Sequence, residues 1–129
     1  MGYPKRDFRE NVTHHVISRC IETKMLLKPG YIKKILFSII RKAQKKYTFE
    51  VNYITVMDNH IHIVIRIVEG GDSLSVVMQY IKANFAKTYN KLVGRTGPFW
   101  NERYKTKIIE NSNDPELYFI NLILYLGYD

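Results

Sequence analysis

The chain has few of the features that mark secreted, membrane-spanning or disulfide-stabilised proteins. It has 129 residues and a single cysteine, Cys20, so no intrachain disulfide can form, which fits a reducing compartment such as the cytoplasm. Its first residues lack the apolar segment of a signal peptide. The longest apolar run, around residues 35–40, is far too short to cross a bilayer. We therefore expect one cytoplasmic domain, residues 1–129, with no membrane partner.

Acidic residues are scarce relative to basic ones. The chain has twelve Asp and Glu residues and twenty Lys and Arg residues, which gives a formal net charge of +8 and a pI near 9.6. A domain this basic commonly binds polyanions, and nucleic acid is the leading candidate. The alternative from charge alone is a soluble basic protein without such a partner. The hydrophobic content of 46% argues for a packed core rather than disorder.

The spacing of apolar residues predicts four strands and three helices in the order β-α-β-β-α-β-α. The strands are expected at residues 11–20, 49–57, 61–68 and around 104–109, and the helices at 31–47, 73–93 and from 114 to the end of the chain. This order predicts an α+β fold with a ferredoxin-like, or RRM-like, antiparallel sheet. The first two helices should cover one face of the sheet, and the C-terminal helix is an addition.

Two histidines, His60 and His62, lie two residues apart on a predicted strand. Successive side chains of a strand point to opposite faces, so this pair shares the face that the neighbouring isoleucines do not use. The isoleucine face belongs under the helices, which leaves the histidine face open to a ligand. Imidazole is the commonest metal ligand, although an exposed pair can also be incidental. His14 and His15 lack a partner at metal-ligand spacing and are interpreted as structural.

The C-terminal helix offers polar groups that could complete a site on the open face. Its polar-capable positions fall on one helical stripe and are Tyr118, Asn121, Tyr125 and Asp129. Tyr125 and Asp129 are one turn apart, so a helix laid across the sheet would bring a phenol and a carboxylate to the imidazoles. The alternative is that Tyr125 is a half-buried core tyrosine whose hydroxyl is satisfied locally.

At this point the motifs resemble a known family. The segment from Met57 to His62, Met-x-Asn-His-x-His, resembles the HUH signature of the single-tyrosine transposases. These are the small insertion-sequence transposases and the REP-associated tyrosine transposases. Residues 15–19, 73–90 and 97–104 are similar to further family segments in the same order. The resemblance covers about residues 12–129, and the HUH signature combined with Trp-x-x-Arg-Tyr at 100–104 makes it specific.

The resemblance implies a catalytic site made by strand and helix together. Tyr125 aligns with the family's nucleophilic tyrosine, and Asp129 with a polar residue that completes a metal site with His60 and His62. Position 129 is Asp where the family has Asn or Gln, but a carboxylate is a good ligand for Mg²⁺ or Mn²⁺. The implied cofactor is therefore a divalent cation, Mg²⁺ or Mn²⁺.

The implied activity is nicking and joining of single-stranded DNA, with a hairpin-containing substrate and a 5′-phosphotyrosine intermediate. A homodimer is one assembly consistent with the apolar last helix. Phosphate contacts and base stacking are expected from one set of residues: Arg19, Lys82, Lys87, Lys91, Arg95, Trp100, Arg103, Tyr104 and Lys105. Alternatively, Phe99 and Trp100 plug the edge of the core.

Other functions remain open at this stage. An RRM-like module that binds single strands without catalysis has the same sheet, although the RNP1 pattern is absent from every predicted strand. A small hydrolase using the histidine pair on a phosphate ester is a second alternative. A domesticated or degenerate transposase that binds DNA but cleaves slowly is a third.

Overall fold

The computed structural model of the chain describes residues 10–127, with the side chains of residues 10–124. Its elements are β1 (Val12–Arg19), α1 (Gly30–Lys46), β2 (Glu50–Val56), β3 (His60–Ile67), α2 (Leu74–Val93), β4 (Lys105–Ile108) and α3 (Pro115–Gly127). This is the predicted order, with most ends shifted by a residue or two. Within the described residues, no helix is long and apolar enough to cross a membrane.

The four strands form one antiparallel sheet in the order β2-β3-β1-β4. This is the arrangement that the ferredoxin-like prediction requires, so the α+β fold class is confirmed. Helices α1 and α2 pack on the face that carries Ile61, Ile63 and Ile65, all of which are 0% exposed. The opposite face carries His60 and His62, so apolar burial decides which face is left for a site.

Local capping fixes where the helices begin and end. The Ser73 hydroxyl accepts a hydrogen bond from the Val76 N–H at 3.2 Å at the start of α2, and Gly94 ends that helix with a left-handed φ of 70°. The Asp114 carboxylate accepts a hydrogen bond from the Leu117 N–H at 3.1 Å at the start of α3. These caps confirm the predicted helix starts, and the last one sets the position of the first turn of α3.

A β-bulge interrupts β2, which the sequence analysis treats as a regular strand. Val51 pairs with Ile65 and Tyr53 pairs with Val64, so Asn52 is an extra residue. The extra residue shifts the alternation of side chains between the two faces of the sheet. Val51 and Ile54, which are three residues apart, therefore both pack against the core. Tyr53 is left on the same face as the histidines.

The turn between β2 and β3 is tied to the segment that follows β1. The carbonyl of Asp58 accepts a hydrogen bond from the Leu27 N–H, and that of Asn59 accepts one from the Cys20 N–H, both at 2.9 Å. The Lys33 ammonium lies 2.9 Å from the Asp58 carboxylate. These contacts hold the start of β3, where His60 lies, against two neighbouring segments.

Glu110 fastens β1 to the short turn that precedes α3. Its carboxylate accepts hydrogen bonds from the N–H and the hydroxyl of Thr13 at 2.7 and 2.9 Å. Burial raises the pKa of the Glu110 carboxyl, but the hydrogen bonds from Thr13 and the charge of Arg66 outweigh it, and the net pKa is lowered. The ionised carboxylate is therefore the form that the fold prefers.

We predict that Glu110→Gln weakens the protein most at neutral pH. A lowered folded-state pKa contributes stability above the unfolded pKa, and that contribution is lost as the pH falls through the folded pKa. The difference in free energy of unfolding between wild type and variant should therefore shrink below about pH 4. Urea unfolding at pH 7 and pH 3 measures it, with Glu50→Gln, an exposed carboxylate on β2, as the control. A difference that stays constant between the two pH values would contradict the role given to Glu110.

Candidate active site

Three imidazoles meet on the open face of the sheet. The Nε2 atoms of His60 and His62 are 3.1 Å apart, and the Nε2 atom of His15 is 2.9 Å from Nδ1 of His62. His15, which the sequence analysis interprets as structural, is therefore in direct contact with His62. His15 lies opposite Val64 in the β1–β3 register, which makes it a diagonal neighbour of His62. The shared alternation of β1 and β3 is the signal that could have indicated this contact.

Asn59 sets the orientation of His60. Its side-chain oxygen lies 2.7 Å from Nδ1 of His60, and its side-chain N–H donates to the Thr23 carbonyl at 3.3 Å. Because that carbonyl can only accept, the amide nitrogen is on its side and the amide oxygen faces the ring. A hydrogen bond at this contact therefore requires His60 to donate from Nδ1.

The environment favours the neutral forms of His62 and His15. Burial, together with repulsion from His15, His60 and Arg19, lowers the pKa of His62 to about 4. Burial and the nearby charge of Lys107 also lower the pKa of His15. A neutral imidazole is the form that binds metal ions, so this part of the site is ready to act as a ligand at pH 7.

The spacing of the His60–His62 pair suits a shared cation. Two nitrogen ligands bound at right angles, each about 2.1 Å from an ion, lie about 3.0 Å apart, and the two Nε2 atoms are 3.1 Å apart. Across residues 10–124, no group of three or more His, Cys, Asp or Glu side chains is arranged to hold a metal ion. His15 does not extend the pair, because it meets His62 at Nδ1 rather than at Nε2.

Helix α3 reaches the histidines through Tyr118. The Tyr118 hydroxyl lies 3.1 Å from Nδ1 of His15, and burial raises the pKa of this half-buried phenol. The first turn of α3 therefore lies on the histidine face, which is one of the placements that the sequence left open for this helix. Tyr125 belongs to α3, but its side chain lies outside the described residues, as does the whole of Asp129.

Some of the residues predicted to bind DNA surround the histidines. Arg19 is exposed and lies opposite His60 in the β1–β3 register. On the other side of β1, Lys105 pairs with Ile17 and Lys107 pairs with His15, and both lysines are exposed. The open face of the sheet therefore combines metal-ligand chemistry with positive charge.

A second group lines an open cavity of about 510 Å³ between α2 and residues 98–104. Lys82, Trp100, Arg103 and Tyr104 contribute to its wall, whereas Lys87 and Lys91 are exposed further along α2. The Lys82 ammonium lies 5.6 Å from the centre of the Trp100 ring. A cavity with an aromatic wall and a cationic rim is suited to a base and its phosphate.

Three of the predicted DNA contacts also have structural roles. Trp100 is 9% exposed and donates its indole N–H to the Lys82 carbonyl at 3.0 Å, so the core-edge alternative describes it well. Tyr104 is also only 9% exposed. The Arg95 guanidinium donates hydrogen bonds to the Asn90 side chain and the Pro98 carbonyl, which closes the loop after α2.

The chain matches the family model described as "Transposase IS200 like" over residues 8–118. The match includes all four strands and both histidines of the pair, and it ends before Tyr125. No curated protein matches the chain at a significant level.

Two solved structures have a similar fold. The structure of a REP-associated tyrosine transposase bound to a REP hairpin is 22% identical with a TM-score of 0.73, and the match covers 97% of this chain and 74% of that one. A Deinococcus radiodurans R1 crystal structure described as a transposase is 14% identical with a TM-score of 0.61, and the match covers 96% of each chain. At these identities the likeness concerns the fold.

We predict that His62 of the metal-free protein stays neutral well into the acid range. Its NMR titration midpoint should lie near pH 4 rather than 6.5, because burial opposes protonation of the folded form. The unfolded chain takes up this proton more readily, so its contribution to stability is present above about pH 6.5 and is lost as the pH falls towards 4. A midpoint near 6.5 in the folded protein would contradict the burial of this ring.

Proposed function

Because the chain belongs to the IS200-like transposase family, we propose that it cuts and rejoins single-stranded DNA at the His60–His62 face. The observation that carries the proposal is the approach of the two Nε2 atoms to 3.1 Å beside the start of α3. At this place a pair of histidines with the spacing of metal ligands lies next to a helix that carries tyrosines, on a positively charged face of the sheet. We take residues 1–129 as one domain with this activity.

In this proposal His60 and His62 hold a divalent cation, Mn²⁺ or Mg²⁺, and Asp129 supplies an oxygen ligand. A bound ion of this kind polarises the scissile phosphate and stabilises the negative charge on its non-bridging oxygens. The support from the chain itself is the spacing of the pair and the lowered pKa of His62. Nitrogen ligands suit Mn²⁺ better than Mg²⁺, which prefers oxygen.

Tyr125 is the proposed nucleophile. Its phenol oxygen forms a bond to phosphorus while the bond from phosphorus to the 3′ oxygen breaks, and the proton lost by the tyrosine is balanced by the one that the 3′ oxygen gains. The products are a 5′-phosphotyrosine and a free 3′-OH. The covalent link keeps the energy of the phosphodiester, so that another 3′-OH can reverse the step without ATP. Tyr125 lies seven residues after Tyr118, which places both on one stripe of α3.

Tyr118 is less suited to the attack although it lies beside the histidines. Its hydroxyl is engaged with His15, and burial raises its pKa. The raised pKa opposes formation of the phenolate that attacks phosphorus. We therefore assign the chemistry to Tyr125 and a supporting contact to Tyr118.

The proposed path of the DNA follows the positive charge. Arg19 and Lys105 contact phosphates beside the histidine pair, and Lys82, Arg103 and Tyr104 accommodate an unpaired base at the cavity by α2. Four further residues support or extend this surface: Lys87, Lys91, Arg95 and Trp100. The REP-associated transposase of similar fold is bound to a hairpin, and we propose a hairpin-containing substrate here.

We also propose that the protein acts in the cytoplasm, where its DNA substrate is accessible, and that it pairs with a second copy. The apolar side chains of Leu117, Ile120 and Leu124 on α3 are between 47% and 54% exposed, which is costly for a surface helix unless another surface covers them. Light scattering, which measures the molar mass in solution, tests whether two copies of the protein form a dimer.

We predict a covalent DNA adduct that depends on Tyr125. Wild-type protein, a labelled hairpin-bearing single-stranded oligonucleotide and Mn²⁺ should give a protein–DNA band on a denaturing gel. Tyr125→Phe should give none, because the phenol oxygen that bonds to phosphorus is gone. His60→Ala should lose the adduct while keeping most of its DNA affinity.

The matched control is Tyr118→Phe, which alters a tyrosine on the same helical stripe and should still form the adduct. Adduct formation by Tyr125→Phe and none by Tyr118→Phe would make Tyr118 the nucleophile. No adduct from wild type with either Mn²⁺ or Mg²⁺ would favour a module that binds single strands without cutting them.

We predict that Arg103→Ala and Lys105→Ala each weaken DNA binding and reduce its salt dependence. Removing one phosphate contact should lower the slope of log affinity against log salt by about 1. Lys42→Ala, an exposed lysine on α1 on the other side of the sheet, is the control and should leave the slope unchanged. If the salt dependence of DNA binding had the same slope in wild type and in all three variants, the DNA would bind to another surface of the protein.

A further inference from the structure

We infer that Tyr53 is a substrate-contacting residue, whose ring is the platform on which an unpaired base beside the cut phosphate stacks. The inference rests on the proposed function, because it takes the histidine face of the sheet as the DNA site and Tyr125 as the nucleophile. Tyr53 does not belong to the set of DNA contacts expected from the sequence, and its place in the sheet is what singles it out.

A β-bulge turns Tyr53 towards the histidines. Val51 packs against the core, and regular alternation from there would send Tyr53 to the core face as well. The extra residue Asn52 reverses this, and Tyr53 instead pairs with Val64 on the open face. His62 lies two residues before Val64 on β3, so Tyr53 is its diagonal neighbour, at a distance that an aromatic side chain can span. Bulges often re-aim a side chain next to an active site.

Tyr53 has no packing role that would explain its burial. Its side chain is half-buried, yet it is not part of the hydrophobic core against which Val51 and Ile54 of the same strand pack. Within residues 10–124, no group forms a hydrogen bond with its hydroxyl, and no ring or cation lies against its ring. A half-buried tyrosine usually satisfies its hydroxyl inside the fold, as Tyr118 does with His15. The ring of Tyr53 is therefore available to a ligand.

Helix α3 crosses the open face from β1 towards β2. The Tyr118 hydroxyl meets His15 on β1, and Ile123 lines a cavity together with Asn52 of β2. Seven residues of helix span about 10.5 Å, which is close to the roughly 9.6 Å between β1 and β2 across two strand spacings. The position of Tyr125 on α3 therefore lies over β2.

The same geometry brings the position of Tyr125 level with Tyr53. His15, Val64 and Tyr53 lie side by side across three neighbouring strands. Because Tyr118 and Tyr125 share one stripe of α3, the level at which the helix meets His15 on β1 is the level of Tyr53 on β2. A DNA strand that is attacked from this part of α3 while its phosphate lies at the histidine pair runs past Tyr53.

The charges of the open face indicate that a base, rather than a phosphate, meets this ring. The cations beside the histidines are on β1 and β4 and are Arg19, Lys105 and Lys107. On β2 the open face carries the uncharged Tyr53 and, at the start of the strand, the exposed carboxylate of Glu50. Phosphates follow the cations, so the bases of a strand on this face turn towards β2. An aromatic ring at that edge can stack on any base.

Photocrosslinking of the wild-type protein tests this contact directly. The probe is a hairpin-bearing oligonucleotide whose single-stranded bases are replaced one at a time by iodouracil, which couples to a stacked aromatic side chain on irradiation. The reaction contains no divalent metal, so the strand stays intact. We expect a crosslink to Tyr53 from one or two adjacent base positions, identified by fragment mass spectra of the tryptic peptide 47–66.

Substitutions then separate the ring from the hydroxyl. Tyr53→Leu should weaken binding of the same oligonucleotide by at least about 5-fold, because a stacked base is lost. Its salt dependence should keep the slope of wild type, because no phosphate contact is removed. Tyr53→Phe keeps the ring and should bind as wild type does. The matched control is Tyr31→Leu, which removes an exposed tyrosine of α1 and should change neither affinity nor slope.

Three results would overturn the inference. They are wild-type affinity in a folded Tyr53→Leu, an equal loss of affinity in Tyr53→Phe and Tyr53→Leu, which would assign the contact to the hydroxyl, and no crosslink to Tyr53 from any base position. If Tyr53→Leu does not fold, the wild-type crosslink decides. Failure of the proposed function is seen separately, as a protein that crosslinks through Tyr53 but forms no covalent adduct with Mn²⁺. A Tyr125-dependent adduct without the Tyr53 crosslink would overturn only the stacking.

Discussion

The antiparallel pairing of β1 with β3 is the constraint on which the site depends. It runs from Val12 opposite Ile67 to Arg19 opposite His60, and it sets which β1 side chains share the face of the histidine pair. A slip of one residue would turn His15 into the core and bring its neighbours to the surface. The isoleucines buried under α1 and α2 prevent that slip. The packing of one face of the sheet therefore fixes which side chains lie on the other face.

Much of this architecture could be predicted from the sequence because the signals are local. The alternation around His60 and Ile61 assigns the two faces of β3, and the Ser73 and Asp114 caps mark helix starts within a turn of where they occur. The order of strands and helices then restricts the sheet to few topologies. The sequence left the position of α3 open, and the contact between Tyr118 and His15 places its first turn on the histidine face.

The remainder depends on contacts between residues that are far apart in the chain. His15 lies 47 residues from His62, and only the strand register reveals that they touch. The bulge at Asn52 and the burial of Trp100 likewise follow from packing across the sheet and under its edge. Tyr125 and Asp129 stay predictions, because they rest on the resemblance of the chain's last residues to the transposase family.

The central claim is that the Nε2 atoms of His60 and His62 share one divalent cation. Anomalous X-ray diffraction from crystals of the protein grown with Mn²⁺ tests it most directly, because the anomalous signal locates the ion without reference to activity. The account predicts a single strong peak bonded to Nε2 of both rings. A peak bonded at Nδ1, a peak at only one of the two histidines, or no peak on this face of the sheet would contradict it.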